Sequence, residues 1–485
     1  MSSDSDKVCR ICLKEFTTKS SLKKHSLKKI PCKLDTKTKI VKNNIEVVIE
    51  EYDEEEDEKK EEKEEKEKKK SDKSKEIQEF SELSKKFNSS LSKEVRLEQG
   101  IFFTPKKARD ILFTTLQKHN VSPNTILEPS FGTGEFLLDA KLLYPNATLY
   151  GVEKNQELFN SFELQSSDSF NLTCCDFLDW KGNADLIIGN PPYFVMTPDA
   201  KQKKTFSKKY ENCMTGRPNI YILFLYKCIT EHLEPNGIIA FIIPTSLYNC
   251  LYYQPMRNYI HKHMTILHLE TLCKPGFFET GQETMLIVLQ KEKRNDDYIF
   301  MAKDTIYLSP FYKELREITK NTTTLSELGF GVKTGNVVWN QVKDHLIDNE
   351  QKEQKDKFKD KKNKTNLLIY SSNITNCELK LNNLRGEKKQ YVLNIDKPTL
   401  NGPVILVERG YGNSFHFNFV VTEEQDFYAE NHINVIYPLS KEAAKKMDWI
   451  VKSFKDERHI NFIRWFLGNG SMPASDLQSM IPIFI

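Results

Sequence analysis

At 485 residues, with 39% of them hydrophobic, the chain has room for about three modules with sizeable cores. Its formal charge of +3 hides an asymmetry: Glu50 to Glu76 holds 15 acidic and 9 basic residues, a net −6 that leaves +9 elsewhere, compatible with a polyanionic partner as well as with an ordinarily solvated surface. The ten cysteines lack disulfide-framework spacing, Met1 leads into polar Ser2 to Asp6, and no apolar run approaches 18 residues, so disulfide-stapled secreted and membrane-spanning classes are excluded and a soluble, intracellular protein in a reducing compartment is expected.

The first element in chain order is a Cys/His cluster. Cys9 and Cys12 stand two residues apart, His25 follows after twelve more, and Cys32 after another six. Four N/S ligands of this kind suit tetrahedral zinc, which can replace a hydrophobic core in a module of this size. Phe16 and Leu22 fall where a small ββα finger keeps its core, and Lys14, Lys19, Lys23, Lys24, Lys28 and Lys29 make the surface basic. The segment, residues 1–35, resembles a C2H2-type finger, with Cys32 in place of the last His. The resemblance implies structural zinc on Cys9, Cys12, His25 and Cys32, and leaves open whether the finger contacts DNA or a protein partner. Residues 36–85 follow as a charged linker with little apolar content, either coil or an isolated ion-paired helix.

Thr125 to Leu127 reads as a buried strand, Glu128 to Phe136 as a turn containing Gly132 and Gly134, and Leu137 to Leu143 as a helix. Glycines in such a turn permit close backbone approach, and the free N–H groups opening the helix can meet a carboxylate. The next strand, Thr148 to Val152, ends in Glu153, 25 positions after Glu128. An acidic side chain there can bind the two hydroxyls of a ribose, so the unit reads as a nucleoside-binding βαβ motif. A third element, Asn171 to Cys175, ends in Asp176-Phe177, a polar acceptor and a ring suited to the amino group and face of an adenine. Cys174 and Cys175 themselves read as small core filler.

Behind the apolar run Leu186 to Gly189 stand Asn190, Pro191, Pro192 and Tyr193. The lone pair of an exocyclic amino group on a base is delocalised into the ring, and attacks an electrophile only when acceptors bind its N–H groups and favour tetrahedral geometry. The side-chain oxygen of Asn190 and the backbone carbonyl of Pro191 can supply those acceptors, on a loop stiffened by proline. Tyr193 offers a ring face, and stacking a flipped base on an aromatic ring contributes ~1 to 3 kcal/mol.

In this order the motifs resemble the N6-adenine DNA methyltransferases of restriction-modification systems, the class whose cofactor motif precedes N-P-P-Y. Gly100-Ile101-Phe102-Phe103-Thr104-Pro105 stands where that family has its Thr-Pro segment; Glu128 to Gly134 stands for its E-P-A-C-G-x-G motif, with Ser130 and Phe131 as departures. Asn219 to Tyr221 and Phe224, the turn Leu233 to Gly237, the strand Ile238 to Ile243, and Pro275 to Phe278 before the strand Met285 to Leu289 resemble its later segments. The resemblance implies a Rossmann-like doubly wound α/β sheet over residues 86–295. It implies S-adenosyl-L-methionine as cofactor, bound by Thr104, Glu128, Ser130, Gly132, Gly134, Glu153, Asp176, Phe177 and Asn190, and catalytic roles for Asn190, Pro191, Pro192, Tyr193 and Phe278. Phe277 is the alternative to Phe278 as the ring against the flipped base. Lys- and Asn-rich usage and a basic finger on a bacterial-looking enzyme point to a large virus of a eukaryotic host.

Residues 300–485 read as a second, α+β domain. Gly331 to Gln341, Val404 to Gly412 and Glu430-Asn431-His432 resemble segments of target-recognition domains, with Lys333, Asn340, Arg409 and Asn413 as candidates for reading double-stranded DNA and ordinary surface chemistry as their alternative. The lysine-rich stretch Lys352 to Lys364 reads as a mobile loop. Rival functions are an N-P-P-Y enzyme acting on ribosomal RNA or a protein glutamine, and an inactive DNA-binding relative. Cytosine C5 chemistry is disfavoured because the sole Pro-Cys, Pro31-Cys32, lies before the catalytic region. No carboxylate-x-Lys segment suggests a nuclease in this chain, so any restriction endonuclease is expected as a separate partner.

Overall fold

The computed structural model describes residues 80–163, 170–196, 208, 210–216, 219–272, 283–302, 304–348, 350–352, 364–382, 384, 386–410, 417–466 and 472–484. The expected finger with Cys9, Cys12, His25 and Cys32 lies outside the described residues, as do Phe277, Phe278 and Asn413.

Order begins earlier than composition indicated. Residues 80–85 were expected in the linker, yet Phe80 is buried with Phe87, Phe103 and Leu158, and Ser81 caps the helix α1 (Glu82–Ser90) by accepting from the Ser84 amide. A capping serine and a phenylalanine on the inner face outweigh the charge of their neighbours. Helix α2 (Lys93–Gln99) is capped by Ser92 and stops at Gly100 in the left-handed conformation. Helix α3 (Lys106–Lys118) follows the Thr104-Pro105 corner.

The N-terminal half is built on β1 (Thr125–Glu128), α4 (Glu135–Leu143), β2 (Thr148–Glu153), α5 (Gln156–Glu163), β3 (Phe170–Cys174), β4 (Ala184–Gly189), α6 (Ile220–Lys227), β5 (Leu233–Pro244), α7 (Gln254–His263), β6 (Thr265–Leu272) and β7 (Thr284–Gln290). These strands form one seven-stranded sheet in the order β3-β2-β1-β4-β5-β7-β6. β3, β2, β1, β4 and β5 run parallel, while β7 pairs antiparallel with both β5 and β6. Runs such as Leu186-Ile187-Ile188 and Ile239 to Ile243 are apolar throughout because both faces are covered. Alternate residues divide between the two faces. Leu127, Ile187, Phe241 and Ile287 join α6 and α7 on one side; Ile126, Leu186, Ile242 and Leu286 join α3, α4 and α5 on the other. The turn expected at Leu233 to Gly237 is an interruption inside one strand: between the pairs Ala184–Leu233 and Leu186–Ile238 β5 carries extra residues, and Asn236 takes φ 60°.

The C-terminal half begins with a hairpin of β8 (Ile299–Ala302) and β9 (Thr305–Leu308), then α8 (Tyr312–Ile318), β10 (Phe330–Thr334), β11 (Leu346–Ile347), β12 (Thr365–Ile369), β13 (Ile374–Thr375), β14 (Glu378–Leu379), β15 (Tyr391–Leu393), β16 (Val404–Glu408), β17 (Phe419–Thr422), β18 (Tyr428–Ala429) and β19 (Ile433–Pro438). Four short helices close it: α9 (Lys441–Ala444), α10 (Met447–Phe454), α11 (Glu457–Phe466) and α12 (Ala474–Ser479). Its two four-stranded sheets run β10-β19-β16-β17 and β11-β15-β12-β18. The first is antiparallel throughout. The boundary expected at 295–300 meets a shared element, since Ile299, Ile306 and Leu308 enter the core of the seven-stranded sheet while Phe300 and Tyr307 enter the C-terminal one.

Candidate active site

In a doubly wound sheet the strand order reverses between β1 and β4, and the crevice past their carboxyl ends is where a ligand fits. A cavity of about 470 Å³ opens there. One wall comes from the turn after β1. Phe131 is buried against Phe159 and Phe162, which turns the backbone of Ser130 and Gly132 toward the cavity. Gly132 has φ 55° with open space where a Cβ would stand; at Gly134, φ 76°, a Cβ would lie 2.1 Å from the Phe162 ring. The first glycine leaves room for a ligand, and the second allows the helix to start.

Glu153, at the end of β2, is 9% exposed and lines the cavity. Its Oε2 accepts from the Gly132 amide at 2.9 Å and its Oε1 from the Asn155 amide at 2.7 Å. Burial pushes its carboxyl above the usual range, and the amides of Asn155, Gly132 and Lys154 oppose that rise. Each carboxylate oxygen keeps a further lone pair for a pair of hydroxyls. Asp176 reaches the cavity after β3; it accepts from Lys154 Nζ at 2.9 Å and from the Leu178 amide at 2.9 Å. Phe177 beside it is buried against Phe224, with ring centroids 4.9 Å apart, and both rings line the cavity.

Asn190, following β4, forms the far wall. Its Nδ2 donates to Thr104 Oγ1 at 3.0 Å and to the Phe102 carbonyl at 3.3 Å. A carbonyl can only accept, so these contacts fix which end of the amide is nitrogen. Oδ1 accepts from the Tyr193 hydroxyl, which also lies 2.7 Å from the Ile242 carbonyl. Burial pushes the Tyr193 phenol well above its ordinary range, so it remains a donor. Its ring stacks on Phe102 at 6.0 Å and meets Tyr221 edge-on at 6.0 Å.

The structure thus brings Ser130, Gly132, Glu153, Asp176, Phe177, Asn190 and Pro192 together around one cavity. Thr104, Glu128, Gly134, Pro191 and Tyr193 are not among the residues that line it. Glu128 is 2% exposed, and burial together with Glu135 and Glu153 raises its carboxyl well above the usual range. Sequence reasoning missed Glu98, Gln99, Asn155, Leu158 and Phe194, which also line the cavity. Phe194 was discoverable as the residue after the motif. Glu98 and Gln99 carry no spacing signal; they arrive because Gly100 packs against the Pro192 and Phe194 side chains and the Tyr193 amide, where a Cβ would sit 2.8 Å from the Pro192 Cβ.

In the C-terminal half, Lys333 is exposed with its ammonium 5.1 Å from the Tyr437 ring centre, Asn340 is exposed, and Arg409 is half-buried with Nη1 3.4 Å from the Asn431 carbonyl. Among the described residues no group of three or more His, Cys, Asp or Glu is placed to hold a metal, and no helix is long and apolar enough to cross a membrane.

Comparison with known proteins gives a consistent set of likenesses. Residues 135–277 match the family model described as Eco57I restriction-modification methylase. The chain is 31% identical over 408 residues to the type II methyltransferase M.CvrRI of Paramecium bursaria Chlorella virus XZ-6E, covering 83% of this chain and 98% of that one. It is 30% identical over 410 residues to the modification methylase CviBIII of Paramecium bursaria Chlorella virus NC1A, covering 82% and 97%. Among solved structures, a class I S-adenosylmethionine-dependent methyltransferase of Listeria monocytogenes aligns over 40% of this chain and 62% of that one, at 21% identity and a TM-score of 0.34.

Proposed function

This chain belongs to the type II DNA methyltransferases, the modification components of restriction-modification systems, and from that premise we propose that it methylates N6 of an adenine flipped out of duplex DNA. The observation that carries the choice of an exocyclic amino nitrogen over a ring carbon is the held amide of Asn190, and the choice of adenine rests on the resemblance of the N-P-P-Y motif. With Nδ2 occupied by Thr104 and Phe102, the amide presents an acceptor and no donor to the reacting group. An amino group satisfies an acceptor; a ring carbon offers it nothing.

The donor is S-adenosyl-L-methionine, and the residues on the cavity fit it. Glu153 presents carboxylate lone pairs to the ribose hydroxyls, Asp176 an acceptor for the adenine amino group, and Phe177 an apolar flank for the ring. Ser130 and Gly132 leave backbone room before the helix N-terminus for a carboxylate. When bound, the cofactor supplies a methyl group already activated by a sulfonium.

The protein's own work is positioning and exclusion of water. Asn190 Oδ1 and the Pro191 carbonyl draw the two N–H bonds of the target amine out of the ring plane, restoring the nitrogen lone pair. Tyr193, its phenol kept protonated by burial, holds the same Oδ1 from behind. The role of the ring against the flipped base is assigned to Phe278, with Phe277 as the alternative. No general base is assigned, because the surplus proton on N6 leaves to solvent after the C–N bond has formed.

We extend the reading to the chain's other parts. Residues 1–35 are proposed to bind structural zinc through Cys9, Cys12, His25 and Cys32, residues 36–79 to link that finger to the enzyme, and the C-terminal half to select the DNA sequence. A restriction endonuclease, where present, is a separate chain.

The test is product analysis. The full chain is incubated with duplex DNA and tritium-labelled S-adenosylmethionine, and the DNA is digested to nucleosides. Label in N6-methyladenosine's deoxy form is expected. Label confined to a methylated cytosine would move the target base, and label found in RNA or protein but never in DNA would overturn the substrate assignment.

A further inference from the structure

The Thr-Pro segment, expected to touch the cofactor, does something else in the folded chain. Thr104 is 4% exposed and absent from the cavity lining, although Gly100, Ile101, Phe102 and Phe103 before it are there. Its hydroxyl oxygen instead lies 3.0 Å from Asn190 Nδ2. The other acceptor of that nitrogen, the Phe102 carbonyl, stands at 3.3 Å, the weaker of the two contacts by distance. Without the Thr104 oxygen the amide would be restrained on its nitrogen side by one long bond.

Thr104 is in turn fastened from behind. Arg109 Nη1 donates to its carbonyl at 2.6 Å, and Arg109 Nε to Asp139 Oδ2 at 2.7 Å. Glu135 Oε2 lies 3.6 Å from the same guanidinium, and Glu135 Oε1 accepts from Ser84 Oγ at 2.9 Å and from the Ser81 amide at 3.0 Å. Ser84 meets Thr133 Oγ1 at 2.7 Å. A chain of buried and part-buried polar contacts thus runs from α1, through the first residue of the helix that follows the glycine turn, to the Asn190 amide. The Phe102 ring, stacked on Tyr193, holds the other side of the same loop.

Resting on the reading of Asn190 as the acceptor for the target amine, we propose that Thr104 is a positioning residue for that amide, acting through Asn190 and not on the cofactor. The hydroxyl oxygen fixes the amide plane so that Oδ1 faces the reacting nitrogen before the base arrives. Arg109 sets the position of Thr104 by holding its carbonyl. Cofactor enclosure and base orientation are therefore served by one segment, with 100–103 lining the cavity and the Phe102 carbonyl and Thr104 hydroxyl meeting the catalytic amide.

The experiment separates the two roles with full-length protein carrying Thr104→Val, which exchanges the hydroxyl for a methyl of similar size. Binding of S-adenosylhomocysteine is measured by calorimetry, and single-turnover transfer of tritiated methyl to duplex DNA is measured at saturating cofactor. Affinity for S-adenosylhomocysteine is expected to stay within about twofold, while the single-turnover rate falls about 10- to 100-fold, the scale of a misplaced reacting group. Thr104→Ser, which keeps the oxygen, is expected to recover the rate to within about threefold. A tenfold loss of S-adenosylhomocysteine affinity with an intact saturating rate would make Thr104 a cofactor ligand and overturn the proposal. An unchanged rate in Thr104→Val, or no recovery in Thr104→Ser while Thr104→Val melts at the wild-type temperature, would overturn it as well. If Thr104→Val melts early, the comparison of Thr104→Ser with Thr104→Ala, read by the same rate and affinity, decides in its place. Wild-type protein that labels no adenine sinks the adenine reading itself, an outcome visible before any variant is made.

Discussion

The two halves of the molecule use inward-facing polar side chains, buried or half-buried, for different ends. In the catalytic half they converge from separate elements on one cavity: Glu153 from β2 and Asp176 after β3, each accepting from amides of a neighbouring turn, and Asn190 after β4, whose Nδ2 donates to Thr104. In the C-terminal half they fasten backbone to backbone. Asn373 donates to the Lys380 carbonyl at 3.0 Å while accepting from the Tyr370 amide at 2.9 Å, Gln390 donates to the Leu368 carbonyl at 2.7 Å, and Asn434 to the Met472 carbonyl at 2.8 Å. A buried polar residue is thus no mark of chemistry by itself. Convergence on shared empty space is the mark, and the C-terminal residues spend their hydrogen bonds on irregular chain that no long sheet would satisfy.

That contrast can be attacked where the effect should be largest. Asn190→Ala is expected to lower methyl transfer about 10²- to 10³-fold, as the loss of one preorganised polar contact does elsewhere, with cofactor affinity preserved; comparable turnover would take Asn190 out of its assigned place. Glu153→Gln should weaken S-adenosylhomocysteine binding about 10- to 100-fold, because hydrogen bonds to a charged group are worth about 1.5 to 3 kcal/mol. Calorimetry that finds no change would leave the cavity without its ribose anchor.

A third test addresses the C-terminal half alone. His459 is fully buried among Phe417, Phe454 and Phe484, and burial lowers its imidazole from 6.5 to about 3. The unfolded chain takes up a proton as pH falls through about 6.5 while the folded chain does not, so stability present above that pH is lost on acidification toward 3, by on the order of 3 to 5 kcal/mol at full extent. Urea midpoints of wild type and His459→Leu should converge or cross as pH drops from 7 to 4; a constant gap would show that the ring is not the source. The smallest effect is expected at Lys333→Ala. Removing one exposed cation should weaken duplex binding a few-fold and reduce the salt slope by about 1. Filter binding across a salt series reads both, and an unaltered slope would strike Lys333 from the DNA-facing set.

The catalytic half was legible because its chemistry needs particular residues in a particular order. Glycines mark the turn, an acid ends the second strand, and Asn-Pro-Pro-Tyr follows the fourth. The observed elements differ from the expected ones mainly at their ends, as where β1 includes Glu128 and α4 begins at Glu135. What escaped the sequence depends on distance along the chain. Nothing near Ser84 announces Glu135 as its partner, and nothing near Thr104 announces Asn190, 86 residues away. The C-terminal half was less legible because strands such as β11, β13, β14 and β18 are two residues long, too short for any alternation to show.

The hairpin β8–β9 works as a rivet between the halves. Ile299, Ile306 and Leu308 enter one core and Phe300 and Tyr307 the other, so cutting the chain ahead of Ile299 would leave the hairpin with the C-terminal half and strip three apolar side chains from the core of the catalytic half. Exchange of the C-terminal half with that of a relative would have to bring along a hairpin shaped for both hosts, or keep the resident one and graft only past Leu308. Heat should likewise find no seam there, since neither half can let go of the hairpin without exposing part of its own interior.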